Sequence, residues 1–133
     1  MKNVKKLLSV TIILAVILGM MNLSFATMVQ PRYTYIMNGA SAIALDRDRG
    51  LVTCTASSTC RYHMFSLEGK MTLYCDGDAI KTWTGTDNGL IEFDEIRYVD
   101  RGHSYYIILN VKVKNAAGTL LEEINLQSNT VTY

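Results

Sequence analysis

Residues 104–114 alternate so strictly that few architectures can hold them. Tyr105, Ile107, Leu109, Val111 and Val113 share one parity, while Tyr106, Asn110, Lys112 and Lys114 share the other. A period of two places the first set on one face of a β-strand and the second in water. Leu67, Met71, Leu73 and Cys75 alternate in the same way with Glu68, Lys70, Thr72 and Tyr74, and Val52, Cys54 and Ala56 alternate with Thr53 and Thr55. Shorter strand patterns occupy 33–37, 40–45, 80–84 and 90–99.

Turn chemistry falls between these runs. Asn38-Gly39, Arg49-Gly50, Asp76-Gly77, Gly85, Asn88-Gly89, Gly102 and Ala117-Gly118 each supply a residue that tolerates positive φ. Gly69 lies inside a strand pattern and implies a bulge or a close backbone approach. Residues 119–127 also offer a helical face through Leu120, Leu121 and Ile124. A strand is preferred there, because Asn115-Ala116-Ala117-Gly118 reads as a hairpin loop and Leu120, Ile124 and Leu126 share a parity. Seven or eight short strands at this spacing predict an all-β fold, a single antiparallel β-sandwich of the immunoglobulin-like or fibronectin-III-like kind.

The first 26 residues have a different character. Lys2, Lys5 and Lys6 precede an apolar run from Leu7 to Met21, and Ser24-Phe25-Ala26 follows with small residues suited to a signal peptidase. The run is short for a membrane span and contains Ser9 and Thr11. The expectation is a signal peptide over 1–26 and one sandwich domain over 27–133, secreted without a stable membrane anchor; the alternative is an uncleaved N-terminal anchor. Of the 13 basic residues three lie in the leader, whereas all 12 acidic residues follow it, so residues 27–133 carry a formal charge of −2. Scattered cations and that balance argue against nucleic acid as a partner.

Export permits disulfides, and Cys54, Cys60 and Cys75 all follow the leader. By parity Cys54 and Cys75 both face the core, which makes them the leading candidate pair; Cys54 with Cys60, or no pairing, are the alternatives. Cys60 and His63 have the residue types of a zinc site or a thiol–base couple, without the spacing of either. Asp46-Arg47-Asp48-Arg49-Gly50 begins like a calcium loop but places its glycine early and has Ser57 where a bidentate Glu belongs. A charged turn explains it better. Adjacent Asp94 and Glu95 point to opposite faces of a strand and cannot act as a pair. The chain therefore reads as non-enzymatic, with no catalytic, cofactor or metal residues assigned.

Gly102-His103-Ser104-Tyr105-Tyr106-Ile107 resembles the tyrosine corner of immunoglobulin-like and fibronectin-III-like domains, which implies that the Tyr105 hydroxyl bonds the preceding crossover. A wider resemblance is carried by Pro31-Arg32-Tyr33-Thr34-Tyr35-Ile36, Lys81-Thr82-Trp83-Thr84, the Gly102–Tyr105 stretch and Ser128-Asn129-Thr130-Val131-Thr132-Tyr133. These segments are similar to a family of small uncharacterised exported proteins of Gram-positive bacteria, a domain of unknown function. The resemblance implies a single Ig-like sandwich with no catalytic residues to transfer. The chain departs from that pattern at Asp76-Gly77-Asp78.

Sandwiches grip ligands through exposed aromatics or end loops, and Tyr33, Tyr35, Tyr62, Trp83 and Tyr106 are the available aromatics. Trp83 and Tyr106 are the candidate binding surface, Trp83 through its parity with Lys81 and Gly85. The functional expectation is a secreted, non-catalytic interaction module that contacts a cell-wall polymer or a surface protein. A self-associating structural protein and a secreted toxin or bacteriocin-like factor are the alternatives.

Overall fold

The computed structural model describes residues 33–133; the leader and the expected cleavage at Ala26 lie outside the described residues. Eight strands follow in order: β1 Ile36–Asp46, β2 Leu51–Cys60, β3 Ser66–Cys75, β4 Asp78–Asn88, β5 Leu90–Tyr98, β6 Ser104–Lys114, β7 Leu120–Gln127 and β8 Val131–Thr132. They form two antiparallel sheets. One has the order β1-β2-β5, and the other has the order β4-β3-β6-β7 with β8 pairing the start of β6. Three strands facing four in this order is the arrangement of a fibronectin-III-like sandwich.

The alternation in 104–114 is reproduced along β6, where Tyr105, Ile107, Leu109, Val111 and Val113 are buried and their neighbours are not. Opposite them stand Ile43, Val52, Cys54, Ala56 and Ile91 from the three-stranded sheet, and Leu67, Met71 and Leu73 complete the core from β3. Fully burying one such aliphatic side chain contributes about 1.5–3 kcal/mol. The segment 120–127 is a strand, since Val111 and Lys112 of β6 pair with Ile124 and Glu123 and turn Ile124 inward.

Two of the glycine signals do not mark turns. Gly50, Gly77, Gly89, Gly102 and Gly118 have positive φ and sit at chain reversals. Gly39 and Gly85 instead lie within β1 and β4. The end of the pattern at 33–37 joins the one at 40–45 in β1, with Tyr33, Thr34 and Tyr35 outside the strand, and a bulge leaves Met37 unpaired between Ile36 and Asn38. Gly69 and Gly85 are register partners. A Cβ on Gly69 would come within 2.5 Å of Ile91 Cδ1 and 2.8 Å of Phe93 Cε2. The close approach expected at Gly69 is thus a slot that receives two side chains of β5.

A seam of long-range hydrogen bonds joins the two ends of the described chain. Glu122 accepts from the backbone of Thr34 and Tyr35 at 3.0 and 2.9 Å. Ser41 Oγ donates to the Leu126 carbonyl at 2.9 Å. After β7 the hydroxyl of Ser128 accepts from the Ile107 amide, taking the place of a backbone carbonyl and interrupting the strand. Asn129 then turns its side chain across to the other sheet, where Oδ1 accepts from Ile43 N at 3.2 Å and Nδ2 donates to Ile43 O at 3.0 Å. One carboxamide thereby imitates a strand residue beside β1. Tyr133 closes the seam: its hydroxyl donates to the Arg47 carbonyl and its own carbonyl accepts from Gly102 N.

Candidate functional site

The outer face of the four-stranded sheet is set by the second parity of β3 and β6. Tyr74 and Tyr106 are direct register partners on these strands. Their rings stack with centroids 5.0 Å apart and planes within 6°, an arrangement worth about 0.5–1.5 kcal/mol beyond the area it covers. The pair packs ring face against ring face on the outer side of the sheet, which leaves each ring one free face. Beside it runs a trough of about 330 Å³ lined by Lys70, Thr72, Ile108, Asn110, Lys112 and Asn125, among others.

Polar groups on this face are held by one another. Asn110 Nδ2 donates to Glu123 Oε1 and to Asn125 Oδ1, each at 2.9 Å. Thr72 and Thr82 hydroxyls approach to 3.3 Å across β3 and β4, and Lys114 pairs with Glu68 at 2.7 Å. Amides, hydroxyls and cations thus flank the stacked rings. That combination suits ligands with one apolar face and many hydroxyl or amide edges, because the rings take the first and the trough the second.

Tyr106 lies where its parity places it. Trp83 does not belong to the same surface and is a correction: it pairs with fully buried Met71 and packs against the core. Its companions Lys81 and Gly85 suggested an outward face, but the neighbouring strand decides the matter. Lys81 pairs with Leu73 near the far end of this edge strand, where a long side chain escapes to solvent. Tyr74, half of the stack, was legible only as the outward partner of core residues in β3.

The remaining aromatics are at one end of the sandwich. Tyr35, Tyr62 and Phe65 form a cluster with centroids 5.2–6.3 Å apart, and Tyr33 also packs against the core. Cys60 is buried there while His63 is exposed, so the two do not make an accessible thiol–imidazole couple. Asp46 is occupied in its own turn, accepting from Asp48 N and Arg49 N at 3.1 Å. Asp94 pairs with Thr55 on the outer face and Glu95 with Cys54 on the inner.

All three thiols are free. Cys54 and Cys75, the pair expected from parity, differ in level as well as in sheet. Cys54 is three residues inside β2, whereas Cys75 is the last residue of β3. With β2 and β3 antiparallel, that offset is about 10 Å along the strands before the separation of the sheets is added, beyond the reach of a disulfide. Burial, reinforced by the Glu95 charge, pushes the Cys54 thiol up to about 11. Cys75 is half-buried and lies against the hydroxyl of Tyr105, whose own ionisation burial pushes upward. That hydroxyl donates to the Asp100 carbonyl at 2.9 Å.

No protein-family model matches the chain, and no curated protein matches it. Among solved structures it is similar to a CARDB domain from Pyrococcus furiosus, determined in complex with di-metal ions, with a TM-score of 0.41 and 11% identity over 79% of this chain and 98% of that one. The fold assignment rests on the strand order and pairing given above.

Proposed function

We propose that the chain is an exported, non-catalytic binding module that engages a polymer of the cell wall through the outer face of its four-stranded sheet. The observation that carries this reading is the parallel, face-to-face Tyr74–Tyr106 stack beside a trough of amides, hydroxyls and lysines. Sugar rings present an apolar face to aromatic platforms and hydroxyls to such flanking groups. Export is supported by the lysines and apolar run of the leader. The test is co-sedimentation of the purified chain with isolated cell walls. Tyr106→Ala should weaken binding several-fold, and equal binding by the two proteins would refute the assignment of this face.

Self-association is the second reading, and a specific observation favours it. Leu90, Ile96 and Tyr98 stand exposed on the outer side of β5, an edge strand, with Ile96 63% and Tyr98 78% accessible. Edges of this kind offer unpaired backbone and apolar side chains to a second copy. Sedimentation velocity decides it: a concentration-dependent dimer abolished by Ile96→Lys supports self-association, and a monomer at all concentrations excludes it.

A further inference from the structure

The turn between β3 and β4 and the start of β6 bring a distant imidazole to an adjacent thiol and carboxylate. Cys75 ends β3, Asp76 follows it, and His103 immediately precedes β6. One ligating atom from each, the Cys75 thiol sulfur, an Asp76 carboxylate oxygen and a His103 ring nitrogen, lies within 4.8 Å of the other two. A tetrahedral zinc ion with Zn–S near 2.3 Å and Zn–N near 2.0–2.1 Å holds its donors about 3.5 Å apart, so small side-chain adjustments suffice.

We propose that Cys75, Asp76 and His103 form a binding site for a borderline divalent transition ion, zinc above all, at this end of the sandwich. Thiolate and imidazole select zinc over magnesium or calcium, which prefer sites built from oxygen alone. Three protein ligands leave a fourth position for water or an external group, and the Asp76 and His103 side chains are 51% and 44% accessible, so that position faces solvent.

The backbone holds the donors in place. Asp76 and Gly77 have φ of 49° and 90°, the two positive values of a tight I′ hairpin turn. Asp76 N donates to Ser104 O at 2.9 Å, and Ser104 N donates to Asp76 Oδ1 at 2.9 Å. With Oδ1 so engaged, Oδ2 is the oxygen directed at His103 Nδ1, with which it makes a short hydrogen-bond contact. The Ser104 amide, and after it His103, hold the Asp76 carboxyl below its ordinary range. Ion binding displaces the thiol proton of Cys75 to solvent as the sulfur–metal bond forms, and the ring takes part as neutral imidazole. Beneath the site the Tyr105 hydroxyl, fixed by Asp100, lies against the sulfur as a second layer of support.

The same residue types can serve as nucleophile, base and orienting carboxylate. None of Cys75, Asp76 and His103 lines the trough on the outer face, so the two sites are separate. Cobalt(II) titration of the reduced, purified full chain tests the metal site independently of wall binding. The expected result is one ion per chain with a thiolate-to-cobalt charge-transfer band that zinc abolishes by displacement. Cys75→Ser should remove the band, His103→Ala should weaken binding at least tenfold, and His63→Ala should change nothing. The proposal is overturned by absence of the band from the wild-type chain, or by its persistence in Cys75→Ser while circular dichroism shows both proteins folded.

Discussion

The Tyr105 hydroxyl makes two hydrogen bonds to one residue, donating to the Asp100 carbonyl at 2.9 Å and accepting from the Asp100 amide at 3.0 Å. It thereby pins the crossover from β5 to β6 from beneath, with the ring itself buried in the core. Tyr105→Phe keeps the ring and removes both bonds. It should destabilise the fold by about 1–3 kcal/mol, read as a lower urea midpoint at unchanged slope.

Asn129 is held by Ile43 through both of its amide functions. Asn129→Ala leaves an amide and a carbonyl of a part-buried strand without partners, at a cost of about 1–3 kcal/mol. Amide exchange at Ile43 should accelerate more than at Leu109 in the middle of β6. Equal acceleration at both would show that the side chain does not act as a local strand substitute.

Gly69→Ala places a methyl where Ile91 and Phe93 already sit, 2.5 and 2.8 Å from the new carbon. Both neighbours belong to the facing sheet, so relief requires side chains of β5 to shift. The expected loss is about 1–3 kcal/mol. Gly77→Ala meets nothing in space but is strained by its φ of 90°, so it costs stability through the backbone instead. Truncating Phe93 to Leu should recover part of the loss in the Gly69→Ala chain and none of it in the Gly77→Ala chain.

Asp76 has a folded-state pKa below its ordinary value of 3.8, owing first to the Ser104 amide and then to His103. A depressed carboxyl stabilises the fold fully above its unfolded pKa, and the contribution vanishes as pH falls through the folded value. Wild-type stability should therefore fall from about pH 4 downward more steeply than that of Asp76→Asn. Parallel acid profiles of the two proteins would show the carboxylate to be uncoupled from folding.

Thiol accessibility separates the three cysteines. Cys54 and Cys60 are buried, with Cys54 pushed up to about 11, and Cys75 is half-buried at a turn. Because the thiolate is the reactive form, iodoacetamide at neutral pH should label Cys75 alone in the native chain and all three after denaturation. Native labelling of Cys54 at a comparable rate would contradict the burial described here.

The sequence carried the sandwich because period-two alternation is a local signal: β6 could be drawn from residues 104–114 without knowing any neighbour. Where the reading failed, the deciding information lay on another strand. Trp83 faces inward because Met71 beside it is buried, and Gly85 is a strand residue because Gly69 opposite it accommodates Phe93. Met37 and Ile80 add further offsets, each the extra residue at an irregularity of register in β1 and β4. Parity carried across such an offset names the wrong face. The candidate surface was half legible: Tyr106 was marked by its own strand, whereas Tyr74 acquires meaning only from the pairing that stacks it. The Cys75–Asp76–His103 cluster was hidden further still, with its acid and its imidazole 27 positions apart.

The seam between residues 34–47 and 122–133 has a temporal side. Its side-chain bonds from Glu122, Ser41, Asn129, Arg47 and Tyr133 join partners 85–88 positions apart. A chain emerging from its N-terminus can pair β1 with β2 early, but cannot fasten β1 to the other sheet until Asn129 and Tyr133 exist. Until then the half-built sandwich lacks its clasp, and contacts of such high sequence separation form late. The order of synthesis thus sets the order of closure: β1 and β2 can form their hairpin first, and the tie between the two sheets waits for the residues around Asn129 and Tyr133.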